Sequence, residues 1–246
     1  MITNLPHTRI ADDLNHLRLS RDRPGRPLAD PDRDTRARLL DAATELFSEL
    51  GVAATSFSTI ARRAGLTPAM VHYHFDNREQ LLDAVVDERL VPLISYVWDP
   101  VQPGDDPAEV IRGVVERLLE RIEKAPWVPS TWMREILNVG GLLRGRMLRR
   151  LPVDKVRTVG HALARAQASG AANPDLDPLL VVFSTIGLVM VHMATRTMWS
   201  DIFHQPPLNT KEMQKHITGL LLHGLDPVPV SRSKPASSKP FLRSKS

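Results

Sequence analysis

Residues 56–78 concentrate the side chains whose types and spacing suit binding to a polyanion. Ser56 is able to cap one short helix, and Thr67 followed by Pro68 has the pattern that begins a second. The hydroxyl and the free amides at a helix start bind phosphate, aided by the positive end of the helix dipole. The chemistry that this segment predicts is recognition of phosphates and base edges, without a catalytic step.

The outer face of the second helix, predicted over residues 68–74, has the composition of a surface that reads DNA. Small or apolar surface suits thymine methyl groups, while imidazole and phenol groups reach base edges or phosphates. Arg78, at the start of the following helix, is expected to contact the DNA backbone. The residues predicted to contact DNA are Ser56, Ser58, Thr67, Pro68, Ala69, Met70, His72, Tyr73, His74 and Arg78. A metal site at His72 and His74 is not expected, because residues two apart on a helix do not converge.

Three helices are required to position these side chains. A long helix is predicted over residues 34–50, where apolar residues recur at helical spacing, and Gly51 suits its end. A short helix follows Ser56, and Gly65 permits the tight turn that leads into the helix after Thr67. Two short helices joined by a glycine-containing turn form a helix-turn-helix, although two packed helices without a DNA partner give the same local pattern.

Only helical signals appear between this segment and residue 225, so the predicted fold class is all-α. Start signals recur at Asp106-Pro107, at Asp177-Pro178 and in the capping box Asn209 to Glu212. No stretch shows the sustained alternation of a strand. Residues 1–33 and 227–246 lack periodic apolar character and are expected to be disordered arms; residues 23–27 resemble the core of an AT-hook.

The composition is that of an ordinary globular protein, with 246 residues, 42% hydrophobic and 24% charged. The absence of cysteine excludes disulfides, thiol nucleophiles and thiolate metal sites, and suits a reducing cytoplasm. No signal-peptide-like apolar run is present at the N-terminus. The apolar stretch at residues 179–194 is interrupted by polar residues and is taken as too short to span a bilayer, so we expect a cytoplasmic protein without a membrane partner.

Residues 35–82 resemble the DNA-binding domain of the tetracycline-repressor (TetR) family. The matching pieces are Leu50-Gly51, IARRAGLT at residues 60–67, VHYHF at residues 71–75 and REQL at residues 78–81. Two positions depart from the family pattern: His72 replaces a tyrosine that often contacts a phosphate, and Ala69 replaces a frequent glycine. The resemblance implies a transcriptional regulator with a three-helix DNA-binding domain followed by a helical domain for effector binding and dimerisation.

The same resemblance implies a homodimer formed by a four-helix bundle from the last two helices of each chain, near residues 178–203 and 210–225. The candidate interface residues are Leu180, Phe183, Ile186, Gly187, Val191 and Ala194 in the first helix, and Met213, Ile217, Leu220, Leu221 and Gly224 in the second. Apolar stripes of this kind also form the core within one chain. A dimer presents two reading helices to successive major grooves about 34–36 Å apart.

The central helices, over about residues 107–169, are expected to surround an effector cavity. Aromatic and methionine side chains form an adaptable apolar wall, and a buried arginine or histidine orients a polar group. The candidate effector-binding residues are Trp98, Trp127, Trp132, Met133, Arg134, Met147, His161, Met190 and His192. Tryptophan and methionine at helical spacing also occur in cores that bind nothing.

The sequence therefore predicts four parts: an arm at residues 1–33, a DNA-binding domain at 34–80, an effector-binding and dimerisation domain at 81–226, and a tail at 227–246. The predicted function is a repressor that leaves its palindromic operator when a small apolar or amphipathic effector binds. No metal, cofactor or enzymatic activity is expected, since glycine-rich phosphate loops, paired metal-binding histidines and serine nucleophile motifs do not appear. The alternative is an architectural DNA-binding protein with little sequence preference.

Overall fold

The computed structural model describes residues 31–227, and within that range the chain is helical, with no strand. The N-terminal helices are α1 (Pro31–Leu50), α2 (Phe57–Ala64), α3 (Pro68–His74) and α4 (Arg78–Val85). A first π-helical segment (Val86–Leu90) continues α4 into α5 (Val91–Trp98). The remaining elements are α6 (Pro107–Lys124), α7 (Val128–Thr131), a second π-helical segment (Trp132–Leu137), α8 (Arg144–Leu148), α9 (Val153–Ala168), α10 (Pro178–Phe203) and α11 (Thr210–Leu225). The all-α prediction is confirmed for the described residues.

Helix α1 begins at Pro31 rather than at residue 34, so the predicted disordered arm is too long by the first turn of this helix. A proline suits the first turn of a helix because an amide hydrogen at this position would have no partner within the helix. The carboxylates of Asp32 and Asp34 complement the helix dipole in the same turn. The rest of the predicted arm, including the AT-hook-like residues 23–27, and the predicted tail from residue 228 lie outside the described residues.

The N-terminal helices share one apolar core. Buried side chains from α1 include Leu39, Leu40, Ala43, Leu46 and Phe47, and they meet Ile60, Val71, Phe75, Leu81 and Leu82 from the next three helices and their connections. Burial of a side chain such as phenylalanine or leucine stabilises the fold by about 1.5–3 kcal/mol. Leu50, the last residue of α1, lies outside this core and is 50% exposed.

The predicted helix starts are confirmed by side-chain caps. Asp106 accepts a hydrogen bond from the Glu109 amide at 3.0 Å, and Asp177 caps α10 in the same way. Asn209 and Glu212 form the reciprocal capping box that the sequence predicts for α11. These bonds depend only on nearby residues, which is why they can be read from the sequence.

Helix α10 packs along one side against α9 and α6 and is exposed along another. It is 26 residues long and, by length and apolar composition alone, long enough to cross a membrane, so the expectation that this stretch is too short was wrong. Core helices of soluble proteins satisfy the same criterion, and 28% of the apolar window of α10 is buried within the chain. The exposed apolar side of α10 therefore requires a separate explanation.

Candidate nucleic-acid interface

The predicted helix-turn-helix consists of α2, a turn at Gly65 and α3. Gly65 adopts the left-handed conformation with φ of 66°, and the Leu66 amide donates to the Ala61 carbonyl at 2.9 Å. Val71 and Phe75 anchor α3 in the core, with 0% and 1% exposure. Because only this side of α3 is buried, its opposite side is left to solvent.

The solvent side of α3 carries most of the residues predicted to contact DNA. Thr67, Pro68, Ala69, His72 and Tyr73 are exposed, and Met70 is half-buried. Tyr73 is 71% exposed. The His72 ring lies edge-on to Phe57, with ring centroids 5.1 Å apart, so packing on α2 fixes its direction.

Ser56 and Ser58 are exposed at the start of α2. The Ser56 hydroxyl accepts a hydrogen bond from the Thr59 amide at 3.1 Å, so this side chain already serves as the predicted cap. Ser58 has no such structural role among the described residues. Thr67 stands at the corresponding position of α3 but makes no capping hydrogen bond, which leaves its hydroxyl available.

Two arginines on the outer side of α2 differ in their partners. Arg63 forms ion pairs with Glu45 and Glu49 of α1, and its hydrogen bond lowers the pKa of the Glu49 carboxyl below its usual value. Arg62 is exposed and forms no hydrogen bond or ion pair within residues 31–227. Its free charge makes Arg62 a candidate phosphate contact that the predicted site omitted, although its outward spacing on α2 was visible in the sequence.

His74 does not point toward solvent, contrary to the prediction that it contacts DNA. Its side chain is 4% exposed, and its Nε2 atom lies 3.7 Å from Asp32 Oδ1 of α1. The last turn of α3 places His74 on the side of Val71 and Phe75, because residues three and four apart share a helix face. Arg36 covers this turn by donating to the His74 carbonyl at 3.1 Å.

Arg78 is also turned away from the predicted DNA surface. Its guanidinium donates to the Thr55 carbonyl at 2.8 Å and to the Val52 carbonyl. Both acceptors lie in the turn between α1 and α2, so Arg78 fixes the start of the helix-turn-helix. The structure thus gives Arg78 a supporting role that the predicted contact with the DNA backbone did not include, since each of its terminal nitrogens donates to a carbonyl within the protein.

An apolar cavity lies inside the C-terminal helices, next to α5. It has a volume of about 50 Å³. Its walls come from α5, α6, the second π-helical segment, α8, α10 and the chain after α8, and contain no charged or hydroxyl side chain. The lining residues are Leu93, Ile94, Val97, Trp98, Leu118, Trp132, Met147, Leu151, Ile186 and Met190.

Four of the predicted effector-binding residues meet in this cavity: Trp98, Trp132, Met147 and Met190. The others lie elsewhere. Trp127 borders an acidic surface concavity beside α1, Met133 is 40% exposed, and His161 is exposed on α9. Arg134 donates to the Glu49 carbonyl at 3.0 Å, and His192 lies beside His216 with ring centroids 5.7 Å apart. The predicted polar part of the effector site is therefore not brought to this cavity.

The remaining lining residues were missed because they are ordinary aliphatic side chains. Leucine, isoleucine and valine at these positions have the same helical periodicity as the surrounding core residues. Nothing in their types or spacing separates a cavity wall from a packed core.

The exposed side of α10 carries a continuous apolar stripe, which we call the α10 stripe: Leu180, Phe183, Gly187, Val191, Ala194, Met198 and Ile202. Leu180 and Phe183 are 61% and 57% exposed. A Cβ atom added at Gly187 would meet no atom within 4 Å, so this position is an open notch in the stripe. Leu220 of α11 is also exposed. Three other residues predicted at the interface are not available for it: Met213 and Ile217 are buried in the core of the chain, and Ile186 faces the cavity.

Two family models match this chain. One, described as bacterial regulatory proteins of the tetR family, matches residues 39–85, and one described as a tetracyclin repressor-like C-terminal domain matches residues 107–221. The curated regulator AcrR of Shigella flexneri is 32% identical over 90 residues, which are 36% of this chain and 41% of that protein. The chain spans under half the length of this and other curated relatives, such as BetI of Rhizobium meliloti at 48%.

Solved structures share the fold over most of the chain. The ketosteroid transcriptional regulator KstR2 of Mycobacterium tuberculosis is similar with a TM-score of 0.62 at 22% identity, covering 78% of this chain and 94% of that one. The regulator FadR of Bacillus subtilis, solved in complex with stearoyl-CoA, has a TM-score of 0.58 at 18% identity, covering 76% of this chain and 98% of that one. These similarities extend from the helix-turn-helix into the helical domain that contains the cavity.

Proposed function

We propose that this chain, which belongs to the tetR family of bacterial regulatory proteins, is a transcriptional repressor that binds its operator as a homodimer and is released by an uncharged apolar molecule. Two features together carry the proposal. Helix α3 is anchored in the core by one side, so its outer side is free to enter a major groove, and an apolar cavity lies next to α5, at the far end of the helical path that begins with α4. Regulation and DNA binding are thereby assigned to separate parts of one chain.

The proposed DNA contacts use the solvent side of α3 and the outer side of α2. Tyr73 and His72 read base edges or phosphates, while Pro68 and Ala69 contact thymine methyl groups. Thr67 and the exposed Arg62 bind phosphates and set the register of the protein on the duplex. His74 and Arg78 act from inside the domain, by holding α3 and the turn before α2 in place.

The α10 stripe supports the proposed dimer. An exposed apolar helix face of this length is unusual for a monomer in water and is typical of an interface. A second copy of α10 covers the stripe, and the notch at Gly187 lets the two helices approach closely. Dimerisation matters for DNA binding because one helix-turn-helix reads few base pairs, and two copies read half-sites one duplex turn apart.

The chemistry of the cavity supports the class of effector. A charged group buried there would lose its hydration without gaining a partner, since the lining contains no charged side chain. Two solved structures of the same fold are described as a ketosteroid regulator and as a complex with stearoyl-CoA, whose acyl chain is attached to a charged group; both descriptions are consistent with a ligand that buries a ring system or a hydrocarbon chain. We therefore propose an effector whose buried portion is a hydrocarbon or ring system.

Helix α4, the first π-helical segment and α5 form one continuous path between the two sites. It begins at Arg78 in the DNA-binding domain and ends at Trp98, and Leu93, Ile94 and Val97 near its end line the cavity. An effector that binds more tightly to a second arrangement of this path shifts the population toward that arrangement. A coupling of about 1–3 kcal/mol weakens operator binding about 5–150-fold.

The test begins with selection of bound fragments from genomic DNA, followed by fluorescence anisotropy on the selected operator and on a scrambled duplex. We expect a preference of about 10³-fold or more for the operator at physiological salt. The neutral apolar dye N-phenyl-1-naphthylamine then serves as the effector probe, and energy transfer from tryptophan that falls in Trp98→Phe and Trp132→Phe reports its entry into the cavity. Equal affinity for both duplexes would instead indicate an architectural DNA-binding protein.

A further inference from the structure

The second π-helical segment, Trp132–Leu137, touches both the cavity and the DNA-binding domain. Trp132 lines the cavity, and Glu135 follows it by one turn. π-helical turns are rare and often occur at functional positions, because they displace side chains relative to an α-helix. This segment is therefore placed to carry a change in the cavity to another part of the chain.

Glu135 is a buried carboxylate that is 6% exposed. Its Oε1 atom accepts a hydrogen bond from the Val52 amide at 2.9 Å, and its Oε2 atom accepts one from the Leu142 amide at 3.1 Å. Glu135 forms no ion pair with any cation in residues 31–227, so these two amides are its compensation for burial. One of them, Val52, belongs to the DNA-binding domain.

Close packing fixes the geometry around this carboxylate. A Cβ atom added at Gly51, which has φ of 87°, would lie 3.5 Å from Glu135 Oε1 and 3.2 Å from Arg134 Cδ. A Cβ atom at Gly141 would overlap the backbone carbonyl group of Glu135. Arg134 adds a third contact by donating to the Glu49 carbonyl at 3.0 Å. The end of α1 and the turn after it are thus held against the π-helical segment.

The same turn is held from the other side by Arg78, which donates to the Val52 and Thr55 carbonyls. The peptide groups of Val52 consequently connect two domains: its amide is bound by Glu135 and its carbonyl by Arg78. The next residue after Thr55 is Ser56, the cap of α2. A displacement of this turn changes where the helix-turn-helix begins.

We propose that Glu135 is the positioning residue that couples occupation of the cavity to the orientation of the helix-turn-helix. A ligand that displaces the Trp132 ring moves the π-helical segment, and the carboxylate one turn later releases or shifts the Val52 amide. This inference rests on the proposed function, since it specifies how the effector site regulates DNA binding. Glu135 itself contacts neither the ligand nor DNA.

Hydrogen exchange of the Val52 amide in the full chain tests the connection directly. The Phe75 amide, which donates to the Val71 carbonyl within the same domain, serves as the internal reference. In Trp132→Ala we expect the ratio of the Val52 to the Phe75 exchange rate to rise about tenfold. Leu118→Ala is the matched control: it truncates a side chain of the same cavity on α6, outside the π-helical segment, and leaves the ratio within about twofold.

A second measurement requires no change in the cavity. In the wild-type chain, saturating N-phenyl-1-naphthylamine should raise the ratio of the Val52 to the Phe75 exchange rate. In Glu135→Gln, the dye should lose most of its effect on operator affinity, whereas the affinity of the chain for the dye should stay within about twofold of the wild-type value. A merely structural glutamate would lower stability without separating these two quantities. An unchanged Val52 ratio in both Trp132→Ala and the dye-bound wild type overturns the proposal, whereas failure of the wild type to prefer any operator overturns the proposed function alone.

Discussion

At the scale of single residues, Tyr73 and Arg78 are neighbouring polar side chains to which the proposed function gives different roles, binding for Tyr73 and support for Arg78. Tyr73 projects from α3 and is 71% exposed, so its phenol contributes little to the folded core. The Arg78 guanidinium is directed into the protein and spans the turn before α2. Substitution of the two residues should therefore change different measurements.

Tyr73→Ala should weaken binding to the operator by about 1–3 kcal/mol while leaving thermal stability nearly unchanged, since an exposed side chain that reads a base is removed. Anisotropy titrations on operator and scrambled duplex measure the loss of preference. Tyr73→Phe is the matched control, because it removes only the hydroxyl and separates hydrogen bonding from ring contact. Undiminished operator preference in Tyr73→Ala would show that α3 reads DNA through other residues.

Arg78→Ala should lower the free energy of unfolding by about 1–3 kcal/mol, because two backbone carbonyls lose a charged donor. Its loss of DNA affinity follows from the disturbed turn. Arg62→Ala is the comparison variant. Its free energy of unfolding should equal that of the wild type, whereas the slope of log affinity for DNA against log salt concentration should fall by about one, the amount expected for one lost phosphate contact. Urea denaturation and titrations at several salt concentrations distinguish the two variants, and equal stability of Arg78→Ala and wild type would contradict the assigned role.

At the scale of elements, the turn between α2 and α3 depends on the left-handed conformation of Gly65. Gly65→Ala should destabilise the chain by about 1–2 kcal/mol, because a Cβ atom is unfavourable at positive φ. Gly145→Ala, within α8 and in ordinary contact with Arg149, should instead be neutral or stabilising by about 0.5–1 kcal/mol. Denaturation midpoints compare the pair, and a neutral Gly65→Ala would indicate that the turn relaxes.

The elements that could be predicted from the sequence are those determined by nearby residues. The caps at Asp106 and Asn209 and the glycine turn at Gly65 follow from local hydrogen bonding and backbone freedom, so they are confirmed. The inward direction of His74 was missed, although residues three and four apart on α3 share its buried face. The aliphatic cavity wall and the contacts of Glu135 depend on segments far apart in the chain, and no local pattern reports them.

At the scale of the whole molecule, we propose that the α10 stripe forms the interface of the homodimer. Gly187→Arg should convert the dimer to a monomer, raising its dissociation constant by about 100-fold or more, since two like charges then meet in an apolar interface. The monomer should still fold, because a Cβ atom at this position meets nothing within 4 Å. Analytical ultracentrifugation measures the change, and Gly187→Ala is the control that keeps the dimer. A Gly187→Arg dimer of unchanged affinity would place the interface elsewhere.

The small volume of the cavity has a kinetic consequence. A cavity of about 50 Å³ is much smaller than the roughly 300–1,000 Å³ of pockets that hold drug-sized ligands, so a molecule of steroid or fatty-acid size enters only after the surrounding helices have moved apart. The observed association rate should then level off as ligand concentration rises, at the rate at which the closed chain opens by itself. Induction would thus be timed by the protein's own fluctuation, and a brief pulse of effector shorter than that interval would leave the operator occupied.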